Sequence, residues 1–147
     1  MSAVLWRITL LCVLLQATHV LSEYFDNEHA QRCREENKVE ISDLEGVFDE
    51  NDIVVRSDSR LHALMLCMYQ RQNLIKDGKY VRDAVIKHIA ERPTPIDVAE
   101  KVFDKCRTED EEVTGEIAIN LRNCLIKEIG EYFASVKGSE SNDTRNH

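Results

Sequence analysis

Four cysteines, Cys33, Cys67, Cys106 and Cys124, constrain this chain more than any other feature, because of what precedes them. Arg7 is followed by an apolar run, Ile8–Ala17, and the stretch His19-Val20-Leu21-Ser22 ends on a small residue. That is the layout of a secretory signal peptide cleaved before Glu23. The run is short for a membrane span, which needs roughly 20 apolar residues. Cleavage would remove residues 1–22 from the 147, and with them Cys12 and the single tryptophan, Trp6. A small exported domain with an even number of cysteines is expected to hold two disulfides, and three pairings are open. A zinc site would want cysteines two to four residues apart, and none of these pairs is that close.

Loss of Arg7 takes the net charge from −8 to −9. So acidic a surface repels phosphate backbones and anionic membranes, which argues against nucleic acid as a partner and against stable membrane association. The expected division is a signal peptide at 1–22, one helical domain at 23–137 and a polar disordered tail at 138–147.

Within the domain the pattern is helical nearly throughout. A first helix is expected over Tyr24–Lys38, carrying Phe25, His29 and Cys33 at helical spacing. Ser42-Asp43-Leu44-Glu45 reads as a capping box opening a short second helix to Glu50, broken by Asn51-Asp52. Ile53-Val54-Val55 is a connector. A third helix over Asp58–Gln72 is apolar on most sides and belongs at the centre. Lys76-Asp77-Gly78-Lys79 is a turn. Val81, Ala84, Val85, His88 and Ile89 form the stripe of a fourth helix, stopped at Arg92 by Pro93. Thr94-Pro95 caps and starts a fifth, with Ile96, Ala99, Val102, Phe103 and Cys106 on one side. Thr108–Glu111 reads as a second capping box, opening a sixth helix with Ile117, Leu121, Cys124 and Leu125. Tyr132, Phe133 and Val136 form an apolar cluster after Gly130. The expected fold is all-α, about six short helices around an internal apolar cavity.

With that cysteine frame the chain resembles the insect odorant-binding protein family, which includes the pheromone-binding proteins. The matching stretches are LMLCMYQRQNLIKDGKY around Cys67 and LRNCLIKEI around Cys124. The family carries six cysteines on six helices, paired first to third, second to fifth and fourth to sixth. Cys33, Cys67, Cys106 and Cys124 match the first, third, fourth and sixth. The resemblance therefore implies bridges Cys33–Cys67 and Cys106–Cys124. The family's second and fifth cysteines fall on Ala63 and Gly115, so the chain looks like the four-cysteine, minus-C subgroup. Ala63 and Gly115 are then expected to face each other across the third and sixth helices, near the roughly 4.4–6.8 Å between Cα atoms that a disulfide spans. A cysteine pair placed there should oxidise spontaneously.

Nothing in the chain reads as an enzyme. It has no Gly-rich phosphate loop, no GxSxG and no HExxH, and His29, His62 and His88 are scattered over three helices. No metal and no cofactor is expected. His88, mid-stripe, reads either as a satisfied core histidine or as a pH-sensitive group at a pocket wall whose protonation would favour release. Met65 and Met68 read equally as core filler or as adaptable pocket lining. Asn142-Asp143-Thr144 is a glycosylation sequon in the tail.

The resemblance implies a secreted carrier that reversibly binds a small hydrophobic or semivolatile ligand in an internal cavity, with a chemosensory receptor as a further partner. The chain itself would be a monomer or weak homodimer. The lining expected from helix faces is Val54, Leu61, Leu64, Met65, Met68, Leu74, Tyr80, Val85, His88, Ile89, Ile117, Leu121, Tyr132 and Phe133. Tyr69, Tyr80 and Tyr132 are the candidate hydroxyl anchors. The competing reading is a secreted helical factor of venom, seminal or salivary type acting through a protein partner.

Overall fold

The computed structural model describes Phe25, residues 27–108 and residues 112–143, with side chains through residue 138. The expected signal peptide, Tyr24, most of the Thr108–Glu111 box and the side chains of the sequon lie outside the described residues. Among the described residues the elements are α1 (Glu28–Asn37), a 3₁₀ turn (Ile41–Leu44), α2 (Ser59–Arg71), β1 (Ile75–Lys76), β2 (Lys79–Tyr80), α3 (Arg82–Ala90), α4 (Ile96–Cys106) and α5 (Gly115–Asp143).

Helix α1 starts where the Asn27 side chain accepts the Ala30 N–H at 3.0 Å. It ends at Lys38, whose left-handed backbone lets its N–H close on the last carbonyls. The second expected helix is only a 3₁₀ turn. Its box lies upstream of the one expected: the Asp43 carboxylate accepts the Glu40 N–H at 2.9 Å. The chain then makes a tight excursion in which Asp49 Oδ1 accepts the N–H groups of Asn51 and Ile53, both at 2.9 Å, and Phe48 bridges to Val54.

Asp58 caps α2 through the N–H groups of Arg60 and Leu61. Leu61, Leu64, Met65, Met68 and Tyr69 are its buried residues. Their i, i+3, i+4, i+7, i+8 spacing makes a single wide stripe, and His62, Ala63, Leu66 and Cys67 are only half-buried, so α2 is buried along one face and not on most sides as expected. The β1–β2 hairpin is a local device: Ile75 pairs with Tyr80 around Asp77-Gly78, both at positive φ. That is the Asp-Gly signature of a type I′ turn. The Val113 N–H donates to the Gly78 carbonyl at 2.8 Å, which ties the start of α5 to this turn.

In α3 the buried residues are Val85, Ile86 and Ile89. The stripe is therefore rotated from the expected one, with Ile86 inside and His88 outside. Helix α4 buries Ala99, Val102 and Phe103 and starts one residue later than expected, with Pro95 at the cap. Thr94 does not cap it; it is buried. Helix α5 starts at Gly115, where Thr114 Oγ1 accepts the Ile117 N–H at 3.3 Å. Gly115 is thus the first helical residue and not an interior one. The helix then runs through Gly130 and Gly138 to Asp143, where a disordered tail was expected from Gly138.

Two disulfides staple the bundle: Cys33–Cys67 joins α1 to α2, and Cys106–Cys124 joins α4 to α5. Helices α2 and α5 share the largest contact, and α3 packs on α4 with Arg82 reaching Asp104 at 3.0 Å. One continuous apolar core runs from Phe25 to Leu121.

Candidate ligand-binding site

The structure gathers eleven of the fourteen expected lining residues into one place. Val54, Leu61, Leu64, Met65, Met68, Leu74, Val85, Ile89 and Leu121 belong to the buried core, and Tyr80 and Ile117 pack against it. Leu64, Met65 and Met68 have no exposed surface at all. A water-sized sphere touches none of them, so no water-sized void opens onto the middle of α2.

Three of the expected residues lie elsewhere. The side chain of His88 is 48% exposed, with Nδ1 3.5 Å from Glu91 Oε2. It is therefore half out in solvent beside a carboxylate, away from the buried core in which it was expected. Tyr132 and Phe133 stack edge-on at 5.3 Å and are half-buried on the distal part of α5. Tyr132 borders an open groove of about 590 Å³ with Pro95, Val98 and Val102.

Two polar atoms inside the bundle need explanation. The hydroxyl oxygens of Tyr80 and Thr94 are buried and have no hydrogen-bond partner among the described residues. Burial pushes the Tyr80 phenol well above its ordinary pKa, so it stays a neutral donor. Its ring meets Phe103 edge-on at 6.1 Å. An unmatched buried hydroxyl costs about 1–3 kcal/mol, so such atoms are rare unless something else satisfies them. Tyr80 was among the hydroxyl anchors expected from sequence. Thr94 was not, since Thr-Pro before a helix reads as a cap.

Sequence reasoning also missed Arg122. It is buried, with its guanidinium donating to the Asp52 carbonyl and to Asp52 Oδ2, each at 2.6 Å, and lying 5.0 Å above the Phe48 ring. The next residue, Asn123, brackets Val54: its Oδ1 accepts the Val54 N–H at 2.9 Å and its Nδ2 donates to the Val54 carbonyl at 3.0 Å. Together they fasten the 48–54 excursion, and with it Val54, to α5. A signal existed, because Ala118, Arg122, Leu125 and Ile129 share one helix face and place a cation inside an apolar stripe.

Two other openings are present. One, of about 400 Å³, lies between the 3₁₀ turn and the start of α2; it is lined by Val39, Leu44, Val47 and Leu61 but also by Asp43, Arg56, Asp58 and Arg60. The other is a crevice of about 70 Å³ between α2, α3 and α5. Cys33, Glu36 and Cys67 place ligand atoms within 4.8 Å of one another, but both sulfurs are committed to the disulfide. Among the described residues no helix is long and apolar enough to cross a membrane.

Comparison with curated proteins and with solved structures found no significant match. A protein-family model, described as the PBP/GOBP family, matches residues 26–128. That span takes in α1 through the Cys124 bridge, both disulfides and the buried core apart from Phe25. The chain therefore belongs to the PBP/GOBP family, the insect odorant-binding proteins, which are binding proteins and not enzymes.

Proposed function

We propose that this protein is a secreted carrier that reversibly binds a small hydrophobic or semivolatile molecule within its helical interior. The observation that carries the reading is the buried, unmatched hydroxyl of Tyr80 at the edge of an apolar core. A ligand with a carbonyl, ester or hydroxyl oxygen would accept its proton, and the surrounding aliphatic side chains would bury the rest. Leu64, Met65 and Met68 are close-packed, so a ligand enters by displacing them. Unbranched, polarisable Met65 and Met68 are suited to repacking around differing shapes.

In this reading residues 1–22 are removed on export, the molecule is a four-cysteine member of its family, and a chemosensory receptor is the downstream partner. The exposed large apolar residues among those described, Ile41, Val55, Ile96 and Val136, sit on four different segments. That supports a carrier over a factor working through one apolar docking face.

The test is displacement of an apolar naphthylamine probe, needed because the single tryptophan, Trp6, lies in the leader. Probe binding well below millimolar, displaced by medium-chain ketones or alcohols, is the expected result. Tyr80→Phe should weaken oxygenated ligands and leave plain alkenes unaffected. No probe binding below millimolar concentration overturns the carrier reading.

A further inference from the structure

The crevice between α2, α3 and α5 has a composition at odds with the rest of the chain. The protein carries 27 acidic against 19 basic residues. Yet the lining is Tyr69, His88, Ile89, Arg92, Arg122, Leu125, Ile126 and Ile129, with two arginines, a histidine and no carboxylate. Leu125, Ile126 and Ile129 are half-buried along one face of α5. Arg122 is neutralised by Asp52, and His88 has Glu91 beside it. Arg92 is exposed and has no ion pair among the described residues.

An apolar strip ending in an uncommitted guanidinium is complementary to one kind of molecule. We propose that this crevice binds the head of a small amphiphilic carboxylic acid, with Arg92 holding the carboxylate and the alkyl chain lying along Leu125, Ile126 and Ile129. The guanidinium fork matches a carboxylate in two parallel hydrogen bonds. At about 70 Å³ the crevice is far below the roughly 300–1,000 Å³ of pockets that enclose a whole ligand. It therefore takes one end of a molecule and leaves the rest on the surface strip. The crevice opens on the outer side of the bundle and shares Tyr69 and Ile89 with the interior core, while Arg92, Leu125, Ile126 and Ile129 belong to the crevice and not to the expected interior lining.

The experiment compares octanoate with 1-octanol, which share a chain length and differ in charge, on the full secreted chain by calorimetry and backbone amide shifts. Octanoate should perturb residues 88–92 and 125–129. Its affinity should fall about tenfold in Arg92→Glu, and also fall with added salt, while 1-octanol is unchanged. Ile126→Glu, on the half-buried strip, should weaken octanoate likewise. Octanoate affinity that ignores both substitutions, or shifts confined to the core, overturns the crevice and leaves the interior carrier standing. Failure of 1-octanol to bind anywhere counts against the carrier reading and leaves the crevice untouched.

Discussion

Gly115 rests directly on the main chain of His62. A Cβ built on it would collide with the His62 carbonyl group and lie 2.7 Å from the His62 Cα. Backbone cannot yield as a flexible side-chain tip can, so the start of α5 lies against the main chain of α2 with no room for a side chain between them. His62 adjoins Ala63, and Ala63 and Gly115 are the two small positions that stand for cysteines in the resemblance.

Gly115→Ala should therefore destabilise the fold by about 1–3 kcal/mol through overpacking, despite alanine's better helix propensity. A lower midpoint in chemical denaturation checks it. The same collision revises the expectation for a restored cysteine pair. In Ala63→Cys, Gly115→Cys the new Cβ at 115 has no room, so the reduced double variant should melt below the parent and form its bridge only as the helices part.

The Arg122–Asn123 clamp should matter more than its surface neighbours. Asn123→Ala removes both bonds to the Val54 backbone and should cost about 1–3 kcal/mol. Amide exchange should quicken at Val54 and Ile53 before it quickens in α2. Uniform quickening would show that the excursion is not a separately fastened unit.

The two bridges close loops of unequal length, with sequence separations of 34 for Cys33–Cys67 and 18 for Cys106–Cys124. On loop entropy alone their removal costs about 4 and about 3 kcal/mol. Paired Cys→Ser variants, compared by denaturant midpoint, should keep that order.

Acid should loosen the bundle at two carboxylates. Asp58 is held below its ordinary pKa by the Leu61 N–H, and Asp104 by its hydrogen bond from Arg82. A depressed carboxyl adds stability above the unfolded value of 3.8 and loses it as pH falls through the lower folded value. The melting temperature should thus drop below about pH 4, and Asp58→Asn with Asp104→Asn should flatten that drop.

Much of this was legible because α2 and α4 declare themselves by cap and stripe. Asp58 and the 61–64–65–68–69 spacing leave α2 little choice. In α3 the sequence offers two stripes, 84–85–88–89 and 85–86–89, and only packing against α4 selects the second, which is why His88 is outside. At α5 both Thr108 and Thr114 are competent caps; Thr114 is used. Gly130 and Gly138 suggest breaks, yet nothing lies within 4 Å of a Cβ at either, and a helix already propagating tolerates the cost. The interior apolar set followed from periodicity. Thr94, Arg92 and Arg122 did not, because their significance lies in what surrounds them in space.

Helix α5 spans 29 residues, and beyond its own main chain the disulfide at Cys124 ties it to α4. From that tether to Asp143 is about 28 Å of helix at 1.5 Å per residue. Each degree of tilt about the bridge therefore swings the far end by about half an ångström. The part of α5 that touches the interior and the part that leaves the bundle are one lever arm, so a shift at Leu121 too small to alter the core's shape arrives at the distal end magnified.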